Sequence, residues 1–125
     1  EVWAVEGNRS SLDRLRLNSQ RAGLDRVKPL NVDLFSPEGV QSLTRYPVAE
    51  VINLDPPREG AIEWCRGIRQ FVPQRLVYIS CDPATFSRDA AVLRHHGGTL
   101  RAVTPLDLFP QTSHVELIAL FEWGG

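Results

Sequence analysis

Short apolar runs alternate with helix-period segments along this chain, which is the sequence form of a parallel β-sheet covered by helices. Val2 to Val5 predicts a first buried strand that passes into Glu6-Gly7-Asn8. Ser10, with Asp13 three residues later, predicts a capping box for a helix that turns Leu12, Leu15 and Ala22 inward and stops at Gly23. A second strand is expected from Pro29 to Val32, ending at Asp33, with a helical turn around Glu38 to Leu43. Val48 to Leu54 is the next apolar run; it stops at Asp55-Pro56-Pro57-Arg58-Glu59-Gly60, because two consecutive prolines cannot continue a central ladder. A helix carrying Ile62, Cys65, Ile68 and Phe71 follows, and then a buried strand from Leu76 to Ile79 that delivers Ser80-Cys81-Asp82-Pro83. The helix after it faces inward with Phe86, Ala90 and Leu93 and ends at Gly97-Gly98. Thr99 to Thr104 and Val115 to Glu122 read as two strands with no helical pattern between them, so they are expected to pair antiparallel.

Composition narrows the picture. A chain of 125 residues with 42% hydrophobic positions suits one core, not two. A formal net charge of −1 argues against a protein that coats nucleic acid through a dominant basic face, so any RNA contact rests on local basic groups. The two cysteines, Cys65 and Cys81, form neither a secreted disulfide framework nor a zinc-type cluster, and a reducing, cytosolic setting is expected. No stretch approaches the roughly 18 apolar residues that cross a membrane. The opening Glu1-Val2-Trp3-Ala4-Val5 already reads as a buried strand, and methionine is absent, which leads us to expect an upstream element beyond this sequence.

In open α/β sheets, ligands bind beyond the carboxyl ends of the strands. Four such ends carry acidic or thiol groups here: Glu6, Asp33, Asp55 and Cys81. Glu6 is placed to accept hydrogen bonds from ribose hydroxyls, or it is a solvated loop carboxylate. Asp33 has the same alternatives, with a helix-cap role added. Asp55 is more telling, because the two prolines fix it on a stiff turn. Cys65 sits on an apolar helix face and reads as core. Cys81 leaves a buried strand just ahead of a helix, where amide donors and the helix dipole favour an anionic sulfur; inert packing is its other reading. His95 and His96 fall in a last helical turn and receive no chemistry, His114 reads as a loop histidine, and no spacing supports a metal site.

The string Ile79-Ser80-Cys81-Asp82-Pro83-Ala84-Thr85-Phe86-Ser87-Arg88-Asp89 closely resembles the nucleophile motif of RNA uracil-5-methyltransferases. Asp55-Pro56-Pro57-Arg58 resembles a second motif of that family, and Asp107-Leu108-Phe109-Pro110-Gln111-Thr112-Ser113-His114-Val115-Glu116 a third, in family order. The resemblance implies an α/β, Rossmann-like class I methyltransferase sheet, mostly parallel with an antiparallel carboxy-terminal strand, lacking the first strand and its glycine loop. Residues 1–125 would then be the carboxy-terminal portion of the catalytic domain. It also implies S-adenosylmethionine as cofactor, with Glu6 on the ribose, Asp33 near the adenine and Asp55 bordering the cofactor and target pocket. A uridine in tRNA or rRNA would be the substrate, Cys81 the nucleophile and Glu116 the general base. Phe109 or Arg58 would stack on the splayed base.

Two rivals stand beside this reading. Cytosine-5-methyltransferases also use a cysteine, but in Pro-Cys or Thr-Cys contexts, unlike Ser80-Cys81-Asp82-Pro83. A non-catalytic fragment with the same fold is the other. Absence of the central first strand would leave two unpaired ladders, so either the two halves close directly on one another or chains self-associate through the gap.

Overall fold

The computed structural model describes residues 1–107, 111 and 115–124. Strand β1 (Val2–Glu6) pairs in parallel with β2 (Val27–Asn31) across helix α1 (Arg9–Arg21). After α2 (Pro37–Ser42) and a 3-10 turn at Leu43–Arg45, the chain enters β3 (Val51–Leu54), α3 (Ile62–Arg66), a second 3-10 turn at Ile68–Gln70, β4 (Arg75–Ser80), α4 (Pro83–His95), β5 (Thr99–Leu106) and β6 (Glu116–Glu122). The last four strands form one sheet in the order β3-β4-β6-β5. Pairing of β3 with β4 is parallel, while β6 runs antiparallel to both β4 and β5. A mostly parallel sheet with one reversed carboxy-terminal strand is therefore what the chain adopts.

Local chemistry explains the boundaries. Asn8, not Ser10, caps α1: its side chain accepts the Ser11 amide at 3.0 Å, and Ser10 lies inside the helix. Gly23 closes α1 at φ +68°, as expected, with the Leu24 amide returning to the Ser19 carbonyl at 2.8 Å. Strand β2 starts at Val27 and contains Pro29; it pairs on one side only, so the missing amide can face the free edge.

The core belongs to the four-stranded sheet. Leu76 and Tyr78 of β4, with Leu117, Ala119 and Phe121 of β6, turn one face toward Trp64, Cys65 and Ile68 and toward Phe86, Ala90 and Leu93. Tyr78 meets Phe86 edge-on at 5.3 Å between ring centroids, and Trp64 stacks on Phe71 at 6.0 Å. Burying each such side chain contributes about 1.5–3 kcal/mol, so this face dominates stability.

The expected direct closure of the two halves does not occur, since β1 and β3 share no ladder. Side chains from the segment between them make the bridge instead. Val40 of α2 is buried in the core of the larger sheet, and Tyr46 packs on Trp3 of β1 at 5.1 Å. Val2 and Val51, on the two strands that keep an unpaired edge, stay 58% and 51% exposed.

Candidate active site at the carboxyl ends of the strands

At the end of β4 the chain turns sharply. Ser80 is buried; its hydroxyl donates to the Asp82 carbonyl at 2.9 Å and accepts the Asp82 amide at 3.1 Å. This tight turn leaves Cys81 at its apex, exposed, whereas Cys65 is sealed in the core, where burial pushes its thiol pKa far up. The Asp82 carboxylate caps α4 by accepting the amides of Ala84 at 2.9 Å and Thr85 at 3.3 Å. Those two bonds, Thr85 first, with a smaller contribution from Arg58, hold its carboxyl below the usual range. The amide donors that the sequence reading offered to the thiol are thus taken by the neighbouring carboxylate.

The Asp55–Gly60 loop after β3 is fastened to the same corner. Thr85 Oγ1 donates to the Arg58 carbonyl at 2.9 Å, Arg58 Nε lies 3.4 Å from Asp82 Oδ2, and an Arg88 guanidinium nitrogen donates to the Glu59 carbonyl at 2.7 Å. Beneath these contacts lies Asp89, fully buried, whose Oδ2 accepts both the Tyr78 hydroxyl at 2.6 Å and the Ala61 amide at 2.7 Å. Asp55 itself is exposed, and among the described residues its carboxylate has no hydrogen-bond partner. Arg58, expected as a stacking group, is committed instead to Asp82, although its side chain remains 72% exposed.

Strand register brings the thiol and the second candidate together. The antiparallel β4–β6 ladder closes with Ser80 opposite Leu117. One step further along that register stand Cys81 and Glu116. The ladder itself ends at Ser80 and Leu117, so Cys81, in the turn after β4, and Glu116, the first residue of β6, lie at the same end of the sheet. Glu116 also faces Leu106, the last residue of β5. Phe109 and His114 lie outside the described residues.

Glu6 and Asp33 occupy the corresponding ends of the smaller sheet. Glu6 Oε1 accepts the Asn8 amide at 3.0 Å, and the Asn31 side chain donates to the Glu6 and Gly7 carbonyls at 3.0 and 3.2 Å, locking the two strand ends together. Asp33 Oδ1 accepts the Phe35 amide at 2.9 Å in a turn that leaves the Phe35 ring 58% exposed. Each carboxylate thus keeps one oxygen without a described partner. No hydrogen-bonded ladder connects this pair to Cys81, Glu116 and Asp55.

Sequence reasoning missed Asn31, Tyr78, Asp82, Asp89 and Phe35. Only Asp82 gave a local signal, an Asp directly before a helix-starting proline. An open groove of about 850 Å³ lined by Arg94, His95 and Thr99 sits at the opposite end of β5 and takes no part. No group of three metal-ligating side chains occurs among the described residues, and none of their helices is long and apolar enough to cross a membrane.

A strand order of β3-β4-β6-β5 with one reversed strand, and acidic or thiol groups at the strand ends, define a Rossmann-like fold of the class I methyltransferase type. The fibrillarin of Aeropyrum pernix, solved with natively bound S-adenosyl-L-methionine, superposes with a TM-score of 0.71 over 95% of this chain and 55% of its own, at 17% identity. The pre-rRNA processing fibrillarin of Methanococcus jannaschii gives 0.69 over 98% of this chain and 56% of its own, at 18% identity. More specifically, the family model for tRNA (uracil-5-)-methyltransferase matches residues 33–122, and the chain belongs to that family. It is 43% identical over 124 residues to the 23S rRNA (uracil(1939)-C(5))-methyltransferase RlmD of Pseudomonas putida, covering 99% of this chain and 27% of that protein. The chain therefore spans about a quarter of the length of the curated relatives it matches.

Proposed function

We propose that the chain is the carboxy-terminal portion of the catalytic domain of a cytoplasmic RNA uracil-5-methyltransferase, with Cys81 as nucleophile and Glu116 as general base. Ribosomal RNA is favoured over tRNA, because the 41–43% identical relatives carry 23S rRNA in their names. The observation that supports the proposal is the exposed thiol of Cys81 directly after the end of β4, at the same end of the sheet where β6 begins with Glu116.

Carbon 5 of uracil is a poor nucleophile and needs a covalent assistant. The Cys81 sulfur adds to carbon 6, and the displaced electron pair gives carbon 5 enolate character. S-adenosylmethionine, when bound, supplies a sulfonium methyl group as the electrophile that carbon 5 takes. Glu116 then removes the carbon 5 proton, the pair left behind rebuilds the carbon 5–carbon 6 double bond, and the Cys81 thiolate leaves. Asp55, on its proline-stiffened mount, borders the pocket in which ring and methyl group meet. The single free oxygens of Glu6 and Asp33 suit the hydroxyl and amino donors of the cofactor's ribose and adenine, which supports the fit. A uridine within folded RNA has to be swung out of its stack to reach this corner.

The test is to express the complete parent protein and map 5-methyluridine in 23S rRNA. Wild type should install it and Cys81→Ala should not; modification by the variant would remove Cys81 from the reaction. The unpaired edges of β1 and β3 further support self-association of the isolated chain. Light scattering across a concentration series should show mass rising above the monomer, and a constant monomer would reject this part.

A further inference from the structure

We propose that Asp89 is a positioning residue for this reaction, holding the loop that carries Asp55 and Arg58 at a set distance from the strand that carries Cys81. The inference rests on the functional reading above and deepens it.

Asp89 lies on the inward face of α4 among Phe86, Ala90 and Leu93, and it is 0% exposed. Desolvating a carboxylate is costly, and an apolar side chain would fill this place without that cost. Core packing alone therefore does not account for an acid here. What the acid does is join three segments. Its Oδ2 receives the Tyr78 hydroxyl from β4 and the Ala61 amide from the amino end of α3, and its Oδ1 receives Arg88 Nε at 3.0 Å. Arg88 in turn reaches the Glu59 carbonyl at 2.7 Å. Tyr78 stands three residues before Cys81, and Ala61 directly follows the Asp55–Gly60 loop, so one carboxylate oxygen couples the two halves of the site. Burial and the bond to Asp89 also push the Tyr78 pKa up, which keeps its hydroxyl a donor.

Gly60 shows how close the fit is. Its φ is +78°, and a Cβ built there would stand 2.6 Å from Asp89 Oδ2 and 2.8 Å from an Arg88 nitrogen. The loop thus approaches the carboxylate more nearly than any side chain would permit. Asp89, Tyr78 and Ala61 are all buried, so solvent competes little for the two bonds to Oδ2, whereas Arg88 is 45% exposed.

The test uses the full-length parent in single-turnover methylation of 23S rRNA, in which amplitude reports the competent fraction and the rate constant reports the chemical step. Misplacing a reacting group by about 1 Å can cost on the order of a hundredfold in rate. Asp89→Ala is expected to lower the rate constant by about that factor, and Tyr78→Phe, which removes one of the two bonds to Oδ2, by about tenfold. Asp89→Asn should stay within roughly threefold of wild type, because its amide oxygen can still accept both donors, while Arg88, which loses its acceptor at Oδ1, is 45% exposed and can turn to solvent. If Asp89→Ala does not fold, the Tyr78→Phe and Asp89→Asn pair carries the test. Amplitudes that fall while rate constants hold would mean a purely structural role and overturn the inference, as would an Asn variant no faster than Tyr78→Phe. Methylation by Cys81→Ala is a separate signal: it sinks the functional reading and this inference with it.

Discussion

Gly60→Ala should destabilise the chain well beyond the ordinary cost of alanine at a positive φ. Alanine at φ near +78° costs about 1–2 kcal/mol relative to its preferred backbone, offset by about 0.4–1 kcal/mol from a less flexible unfolded chain. The new Cβ also has to clear Asp89 Oδ2 at 2.6 Å, and moving that oxygen breaks the bonds from the Tyr78 hydroxyl and the Ala61 amide. Leaving such buried groups without partners adds about 1–3 kcal/mol, for a total of about 1–5 kcal/mol. Gly23→Ala is the control, because Gly23 has φ +68° and nothing within 4 Å of the added carbon, so its loss should be about 1 kcal/mol. Urea unfolding followed by tryptophan fluorescence suits the comparison, since Trp64 is 3% exposed and stacked on Phe71 beside the affected loop. Equal midpoint shifts for the two variants would refute the reasoning, because the collision with Asp89 would then have no energetic weight.

Thiol labelling with an aromatic disulfide should modify one cysteine of the native chain quickly and the second only in denaturant, because Cys81 is exposed and Cys65 is sealed. A fast thiol that survives Cys81→Ala would contradict this assignment. His96 supplies a pH dependence: burial first, then the positive charges of Arg69 and His95, hold its pKa below the ordinary 6.5, and among the described residues its Nδ1 has no partner. Below pH 6.5 the unfolded chain binds this proton more readily than the native one, so stability should fall as pH drops from 6.5 through the lowered native value. His96→Gln should flatten that fall in urea midpoints taken at pH 7.5 and 5.5, and an unchanged slope would reject the role of His96.

The succession of strands and helices and the reversed carboxy-terminal strand were legible because their signals are local: apolar runs bounded by Asp55-Pro56-Pro57 and Gly97-Gly98, and no helical period between β5 and β6; the order β3-β4-β6-β5 came only with the structure. Boundaries were less so. Ser10 and Asn8 are both good caps, and only the hydrogen bond from the Ser11 amide decides for Asn8. Pro29 reads as a strand start, but an edge strand accepts it in the middle. The exposed thiol and the acids at the strand ends were visible because strand ends concentrate chemistry in this architecture. The latch beneath them was not. Helix period does put Asp89 on the inward stripe with Phe86, Ala90 and Leu93, but Asp89 and Tyr78 are 11 residues apart on different elements, and nothing local announces that the acid meets a strand hydroxyl there. That Cys81 and Glu116 lie at the same end of the sheet likewise emerges only after β4 and β6 are paired in register.

Because β6 enters the sheet at the end where β4 delivers Cys81, Glu116 is located by what comes after it. Its six successors, Leu117 to Glu122, are zipped to β4, and Glu122 is clamped between Arg75 and Arg101 at 3.3 and 2.9 Å. A carboxylate mounted this way is insulated from changes in the preceding connection, much as a bolt is indifferent to the length of rope tied to its head. Insertions between β5 and β6 therefore leave the Glu116 carboxylate in place as long as the β4–β6 ladder is kept.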